Sequence, residues 1–201
     1  MKKLYKIQIK IILTLLFSSC IVQGLNTNYN KLSDEDLRYF VSYNSNNLFK
    51  NVDNSLQNLK IEEINSSLIK QIIKENKYVC LYSWVPFCNS IKCENLKFYS
   101  NIEKKYSQIG FHFLIISETY DIDDIKLSIM TSGYDKQLYV IKHEERKYGN
   151  NRKNVVSKFI KEITGEELQS DYYFFCDSKL IYHGIDISES IIDSILIENN
   201  K

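Results

Sequence analysis

The sequence predicts an α/β fold in which helices flank a mixed β-sheet. Two patterns in residues 64–201 lead to this prediction: segments with apolar residues at helical spacing alternate with short β-rich runs, and the last two β-rich runs are separated by only two residues. Strands that alternate with helices predict a parallel core, and a closing hairpin adds antiparallel strands at one edge. The 201 residues, 44% of them hydrophobic, suffice for one domain with a short extension.

Residues 1–19 have the organisation of a signal peptide. A lysine-rich start precedes a short apolar stretch at 11–17, and two small residues follow it. The sequence Phe17-Ser18-Ser19-Cys20 resembles the bacterial lipobox, although Phe17 stands where that motif usually has Leu. We predict a lipoprotein signal, acylation of Cys20 and attachment to membrane lipid at the cell envelope. The alternatives are an ordinary secretory signal with a coincidental Cys, or a cut further along the chain near Gly24.

The net charge and the cysteines indicate which kinds of partner and which disulfide pairings to expect. Four lysines lie in the leader, so the formal net charge of +1 for the chain becomes −3 for the rest, which predicts no nucleic-acid partner. If Cys20 carries lipid, four cysteines remain, and an oxidising compartment would allow three pairings among them. They are Cys80, Cys88, Cys93 and Cys176.

The N-terminal part of the secreted chain is predicted from its polarity. Residues 20–32 are polar and rich in Asn without periodicity, which predicts a flexible tether. Residues 33–63 form an N-terminal extension, in which Ser33 and Asp36 mark the start of a helix that we expect to reach about Tyr43. The alternation of apolar and charged residues at 59–62 predicts a short strand.

The elements of the 64–201 domain follow from hydrophobic spacing. Gly110 and Gly165 are placed to end helices, and Asp177-Ser178 separates two β-rich runs as a hairpin turn. The predicted helices cover 64–73, 96–109, 122–130, 154–163 and a final segment from 186. The predicted strands cover 78–84, 111–117, 137–141, 171–176 and 179–183.

Two of these segments carry a resemblance to a known fold. The strand that ends at Trp84 and continues as Val85-Pro86-Phe87-Cys88 resembles the active-site strand of thioredoxins, in which a Trp four residues before the nucleophilic Cys is typical. The run 173–184 is similar to the hairpin that closes that fold. The resemblance covers about 64–196 and is nearest to membrane-anchored thioredoxins of the TlpA/ResA type.

The resemblance implies a thioredoxin-like domain and a thiol-disulfide oxidoreductase with a protein thiol or disulfide as partner and no cofactor. Cys88 would attack from the N-terminus of a helix, where the dipole lowers the pKa of a thiol, and Cys93 would resolve the mixed disulfide. Trp84, Pro86 and Asp171 would lie at the substrate. Asp171 occupies the position of the family's cis-proline, so we predict a trans bond there and weaker general reductase activity.

The cysteine spacing departs from the family. The second Cys usually lies three residues after the first, where this chain has Ile91, and five residues turn a helix through about 500°, which would point Cys88 and Cys93 about 140° apart. We predict that Asn89 or Ser90 caps the helix, that Cys93 lies in its first turn and that the pair is reduced. A helix that begins at Glu94 would instead leave both thiols in one loop.

The remaining cysteines and histidines have mainly structural interpretations. Cys80 and Cys176 lie on strands that neighbour each other in the resembled fold, and two packed thiols are favoured over a bridge. His112, His143 and His183 lack ligand spacing to the cysteines, so no metal site is predicted. Two alternatives to the oxidoreductase stay open: a redox-inert binding or structural lipoprotein, and Sco-like copper binding by Cys88, Cys93 and His143.

Overall fold

The structure is a computed structural model that describes residues 26–49, 51–55, 57–87 and 95–199. These residues form one seven-stranded sheet in the order β1-β2-β5-β4-β3-β6-β7. The first five strands are parallel, and β6 and β7 add an antiparallel hairpin beside β3. The strands are β1 (Phe40–Ser42), β2 (Ile61–Ile64), β3 (Tyr78–Trp84), β4 (Phe111–Ser117), β5 (Leu138–Ile141), β6 (Tyr172–Cys176) and β7 (Lys179–Gly184). The predicted mixed sheet is confirmed.

Helices cover both faces of this sheet. Within the described residues they are α1 (Asp34–Leu37), α2 (Ser66–Glu75), α3 (Leu96–Tyr106), α4 (Ile122–Ser132), α5 (Glu145–Tyr148), α6 (Arg152–Thr164) and α7 (Glu189–Asn199), and short 3-10 turns cover Tyr29–Lys31, Ser45–Asn47 and Ser107–Ile109. None of these described helices is long and apolar enough to cross a membrane. With helices on both faces, the sheet has the flanking layers that the sequence predicted.

The two faces of the sheet have different cores. Tyr82 and Phe174 belong to a core beneath α3, α4 and α7 in which many rings contact one another, and we call this the aromatic face. Leu81 and Ile116 belong to a core beneath α2 and α6 that is dominated by branched aliphatic side chains, and we call this the aliphatic face. Successive residues of β3 alternate between the two cores, which is why all seven are buried.

The local turns follow sequence chemistry. Gly110 and Gly165 have positive φ angles of 71° and 84° and end the helical segments before them, as predicted. Asp177 and Ser178 have φ angles of 45° and 69°, the left-handed conformation that both central residues of a tight hairpin turn require. The hairpin of β6 and β7 is thereby confirmed at its predicted position.

The N-terminal extension differs from its prediction. The capping box of Ser33 and Asp36 is present, but α1 ends at Leu37, and Phe40 then begins β1, which pairs with β2. The helix expected to reach Tyr43 is therefore wrong, because pairing with an existing parallel strand outweighs weak helical spacing. The strand expected at 59–62 is found as β2, and the predicted boundary between 63 and 64 falls inside it.

The described part of the predicted tether, residues 26–32, lies against the domain. Thr27 is buried, and its backbone bonds to Asn150 and Tyr120. For these residues the expectation of a flexible tether is wrong, because backbone groups and an aromatic ring find partners on the domain surface. The leader, Cys20 and residues 21–25 lie outside the described residues.

Candidate functional site

The candidate site begins where β3 ends. Trp84 is 4% exposed and is the last residue of β3, level with Ser117 at the end of β4. Its carbonyl oxygen accepts a 2.9 Å hydrogen bond from the backbone N–H of Glu118. The carboxyl ends of parallel strands meet at one edge of a sheet, the usual place for sites in such folds. We call this the carboxyl edge.

The three residues after Trp84 are held by two helices. Pro86 is buried, and its carbonyl oxygen accepts a hydrogen bond of 3.1 Å from the hydroxyl of Ser128 on α4. The ring of Phe87 lies 5.9 Å from the guanidinium carbon of Arg152 on α6. The described chain before the cysteine segment therefore ends at Phe87, between these two helices.

Asp171 precedes β6 and faces the same edge. Its carbonyl oxygen accepts a 2.8 Å bond from the N–H of Ser83, and its N–H donates to Gly184 at 3.0 Å. The described residues contain no cis peptide bond, which confirms the predicted trans bond before Asp171. Trp84 and Pro86 are buried, so of the three predicted substrate-binding residues Asp171 alone exposes its side chain.

A charged cluster lies beside Asp171 on the aliphatic face. The hydroxyl of Ser83 donates a 2.7 Å bond to Glu118, and Arg152 forms an ion pair with the same carboxylate. Desolvation by the surrounding protein, followed by the charge of Glu118, raises the pKa of Asp171, while Arg152 acts in the opposite direction. Glu118, Arg152 and Asp171 line a cavity of about 350 Å³ together with Lys153.

Sequence reasoning missed Glu118 and Arg152. Neither belongs to a motif, and each is an ordinary charged residue in a chain that is 25% charged. One signal pointed to Glu118: it directly follows a buried parallel strand, where polar side chains gather at the carboxyl edge. Arg152 offered no such signal, since its closeness to Glu118 depends on how α6 packs.

Three buried tyrosines lie below this edge on the aromatic face. The hydroxyls of Tyr99 and Tyr172 share a hydrogen bond of 2.6 Å, and the ring of Tyr82 stacks on Tyr172 with centroids 4.6 Å apart. Burial raises the pKa of all three hydroxyls. They stay neutral at physiological pH and form an uncharged cluster within this core.

The helix after the cysteine segment starts later than predicted. Asn95 has an extended backbone, and its side-chain oxygen accepts a 2.8 Å bond from the N–H of Lys97, so it is the N-cap of α3. The expectation that Asn89 or Ser90 caps this helix with Cys93 in its first turn is wrong. Cys88 and Cys93 themselves lie outside the described residues, so their geometry and redox state stay predictions.

Cys80 and Cys176 are packed thiols. Both are buried and unbridged on the neighbouring strands β3 and β6, where Cys176 lies opposite Tyr78 and Cys80 opposite Phe174. Burial raises the pKa of both thiols, which keeps them protonated and poorly nucleophilic. The favoured interpretation is confirmed, and the structure contains no Cys80–Cys176 bridge.

The three histidines have packing or hydrogen-bonding partners. His112 lies 3.0 Å from Glu103, His143 stacks on Tyr29 with ring centroids 3.8 Å apart, and His183 shares a 2.9 Å hydrogen bond with Ser170. In the ranges that the structure describes, no three His, Cys, Asp or Glu side chains are grouped to hold a metal ion. These partners account for the histidines structurally.

Comparisons with known proteins are limited to structures. No family model and no curated protein matches the sequence. The thioredoxin domain of a thiol-disulfide oxidoreductase from Bacteroides vulgatus is 13% identical, with 64% of this chain and 82% of that chain covered and a TM-score of 0.45. A thioredoxin-family thiol:disulfide interchange protein from Chlorobium tepidum TLS is 15% identical over 64% and 83%, with a TM-score of 0.43.

A third similar structure is a member of the Sco family of cytochrome c oxidase assembly proteins, 14% identical over 65% of this chain and 84% of that chain, with a TM-score of 0.37. The strand arrangement itself defines the architecture of this chain. A parallel β3–β4 pair connected through α3 lies beside the antiparallel β6–β7 hairpin, and helices cover both faces. The chain has the mixed α/β fold that the sequence predicted, a sheet flanked by helices.

Proposed function

We propose that this chain is an envelope lipoprotein that exchanges disulfides with a protein partner through Cys88 and Cys93. The observation that carries the proposal is the start of α3 at Leu96, capped by Asn95. Both cysteines therefore precede this helix, in the seven residues between Phe87 and Asn95. The 140° separation was predicted for two positions within this helix, and neither cysteine belongs to it.

The surroundings of this segment also support thiol chemistry. Arg152 lies beside Phe87, the residue before Cys88 in the sequence, and a cationic group near a thiol favours the thiolate. The other two cysteines of the domain are buried with raised pKa values, so they would not compete for a partner. Cys88 and Cys93 are thus the candidates for exchange.

The proposed reaction has two steps. The Cys88 thiolate attacks one sulfur of a partner disulfide, forming a mixed disulfide and releasing the partner's other sulfur as a thiolate. The Cys93 thiolate then attacks the Cys88 sulfur, and the partner leaves with its second thiolate. The partner gains two electrons, and this chain is left with a Cys88–Cys93 disulfide. Exchange in the reverse direction would oxidise the partner.

Trapping in cells tests the mechanism. Cys93→Ser should accumulate mixed disulfides through Cys88, visible as reductant-sensitive adducts after acid quenching and alkylation. Cys88→Ser is the matched control, and adducts on this variant instead would show that the two roles are reversed. The double variant should trap nothing. If neither single variant traps a partner, the exchange mechanism is wrong.

The envelope anchor is a separate part of the proposal. Its support is the Phe17-Ser18-Ser19-Cys20 motif after an apolar stretch. Radiolabelled palmitate should be incorporated into the wild-type protein and not into Cys20→Ala. The wild-type protein should fractionate with membranes, and Cys20→Ala should fractionate with the soluble proteins. Unlabelled wild-type protein would contradict the lipoprotein assignment without affecting the thiol chemistry.

A redox-inert binding protein is the second candidate, and one observation favours it. The hydroxyl of Tyr173 accepts a 3.1 Å bond from the N–H of Ser170 and donates a 2.7 Å bond to its carbonyl oxygen. The N–H and carbonyl oxygen of Ser170, directly before Asp171, are thus both hydrogen-bonded to Tyr173 and not available to pair with an extended peptide. Alkylation rate against pH discriminates the two functions: a low Cys88 pKa supports exchange, and an ordinary or raised value supports the inert protein.

A further inference from the structure

The N-terminal segment docks at the carboxyl edge of the sheet. The N–H of Thr27 donates to the carbonyl oxygen of Asn150 at 3.0 Å, and its own carbonyl oxygen accepts from Tyr120 at 2.7 Å. Thr27 is 4% exposed, and Asn26 pairs with Asn151 as an isolated bridge. The first described residues are therefore held on both sides by backbone bonds.

Side chains strengthen this docking. The ring of Tyr29 stacks on His143, which follows β5, and meets Tyr120 edge-on with centroids 4.9 Å apart. Asn28 adopts a left-handed conformation with φ of 63°, and its amide donates a 3.1 Å bond to Asp121. Residues 26–29 thus contact the chain segments that leave the ends of β4 and β5.

The same edge holds the candidate site. Glu118 bonds to the carbonyl oxygen of Trp84 and lies two residues before Tyr120, whose N–H bonds to Thr27. The docked segment and the residues that lead to Cys88 consequently leave the sheet on the same side. The opposite edge, which includes Lys179 at the start of β7, lies at the other end of the strands.

Chain length then restricts the orientation of the domain. Cys20 and Asn26 are six positions apart, and six residues span at most about 20 Å when fully extended. From Tyr78 to Trp84, β3 also spans six steps and covers about 20 Å, and the turns at the two edges add to that distance. A lipid on Cys20 cannot reach past the domain to a membrane that touches the opposite edge.

We propose that the carboxyl edge, with Trp84 and the residues up to Phe87, faces the membrane to which Cys20 is anchored. The inference rests on the proposed lipidation and deepens the proposed function by naming the partner class: a membrane-bound protein that presents its thiol or disulfide close to the lipid headgroups. A freely diffusing partner would have to enter the narrow space between domain and membrane.

Energy transfer from tryptophan to the membrane tests the orientation, because Trp84 is the one Trp in the chain. The acylated mature protein, which begins at Cys20, is placed in phosphatidylcholine vesicles that contain some dansyl-phosphatidylethanolamine. The comparison protein carries Trp84→Phe together with Lys179→Trp, which moves the donor to an exposed position at the opposite edge. Transfer should be several-fold stronger from Trp84. Circular dichroism checks that both proteins fold.

The outcomes separate this inference from the proposed function. Protein that binds vesicles but transfers equally from both positions, or better from position 179, overturns the orientation and leaves the anchor intact. Protein that does not bind vesicles removes the anchor and the inference with it. Insertion of about twelve Gly and Ser residues after Gly24 adds about 40 Å of reach and should abolish the difference between the two positions.

Discussion

The two faces of the sheet differ in their polar groups: one has buried neutral hydroxyls, and the other has a charged pair at the candidate site. On the aromatic face, Tyr82, Tyr99 and Tyr172 bring neutral hydroxyls together in a buried cluster. On the aliphatic face, the core ends in the Glu118–Arg152 ion pair at the carboxyl edge. The tyrosine hydroxyls lie within the aromatic core, whereas the Glu118–Arg152 charges lie at the end of the aliphatic core, so equal substitutions on the two faces should have unequal effects.

The largest effect should come from removing a ring on each face. Phe174 is fully buried on the aromatic face, and its ring centroid lies 5.3 Å from that of Phe111. Phe174→Ala should lower the free energy of unfolding by about 3 to 5 kcal/mol through cavity formation. Phe159→Ala, at a 1% exposed site in the aliphatic core, is the matched control. Urea denaturation should show the Phe174 loss larger by about 0.5 to 1.5 kcal/mol, since aromatic pairs contribute that much beyond burial. Equal losses would contradict the distinction between the cores.

The next effect concerns the ion pair that ends the aliphatic face. The side chains of Arg152 and Glu118 are 18% and 10% exposed, so Arg152→Ala leaves a largely buried carboxylate without its cation. We expect a loss of about 2 to 3 kcal/mol in urea denaturation. The matched control is Arg38→Ala, because the Arg38–Glu35 pair is exposed and should contribute less than about 0.5 kcal/mol. If both variants lose a similarly small free energy of unfolding, water must reach the Arg152–Glu118 pair.

Removing one hydroxyl from each face should destabilise the protein on the aromatic face only. Tyr99→Phe breaks the hydrogen bond to Tyr172 and should destabilise the protein by about 1 to 2 kcal/mol. The hydroxyl of Tyr139, on the aliphatic face, is buried without a hydrogen-bond partner in the described residues. Tyr139→Phe should therefore leave stability unchanged or raise it, because it removes an unpaired polar group. Thermal and urea unfolding of both variants would check this, and a clear loss in Tyr139→Phe would reveal a missing partner.

The smallest effect is the pH dependence of Asp171. The pKa of the Asp171 carboxyl is raised in the folded state, so the folded protein binds the proton of this carboxyl more tightly than the unfolded chain does. The stability that the bound proton contributes is lost as pH rises through the folded pKa. Asp171→Asn should remove that loss and flatten the stability profile above the ordinary pKa of an Asp side chain, 3.8. The exposed Asp53, whose pKa is lowered by its bond to Asn58, is the control of opposite sign: its contribution is lost as pH falls. Urea midpoints measured across acidic pH would test both signs.

Much of the central fold was predictable from local patterns. β3 and β4 have the predicted bounds, and the hairpin turn and the glycines that end helices are where turn chemistry places them. The start of α3 was not predictable. Asn89, Ser90 and Asn95 are all suitable caps, and which one is used depends on where the packed face of Leu96 and Tyr99 meets the sheet.

By itself, the sequence determined the order and type of the main elements, the leader motif and the position of Trp84 before Cys88, because these depend on spacing and residue chemistry within a few neighbours. Tertiary structure decided the rest. It added β1 and β2 to the sheet, docked Thr27 and Tyr29 at the carboxyl edge and joined Glu118 to Arg152. Each of these contacts joins residues far apart in the chain. Their formation depends on burial and on backbone partners that exist only once the sheet is assembled.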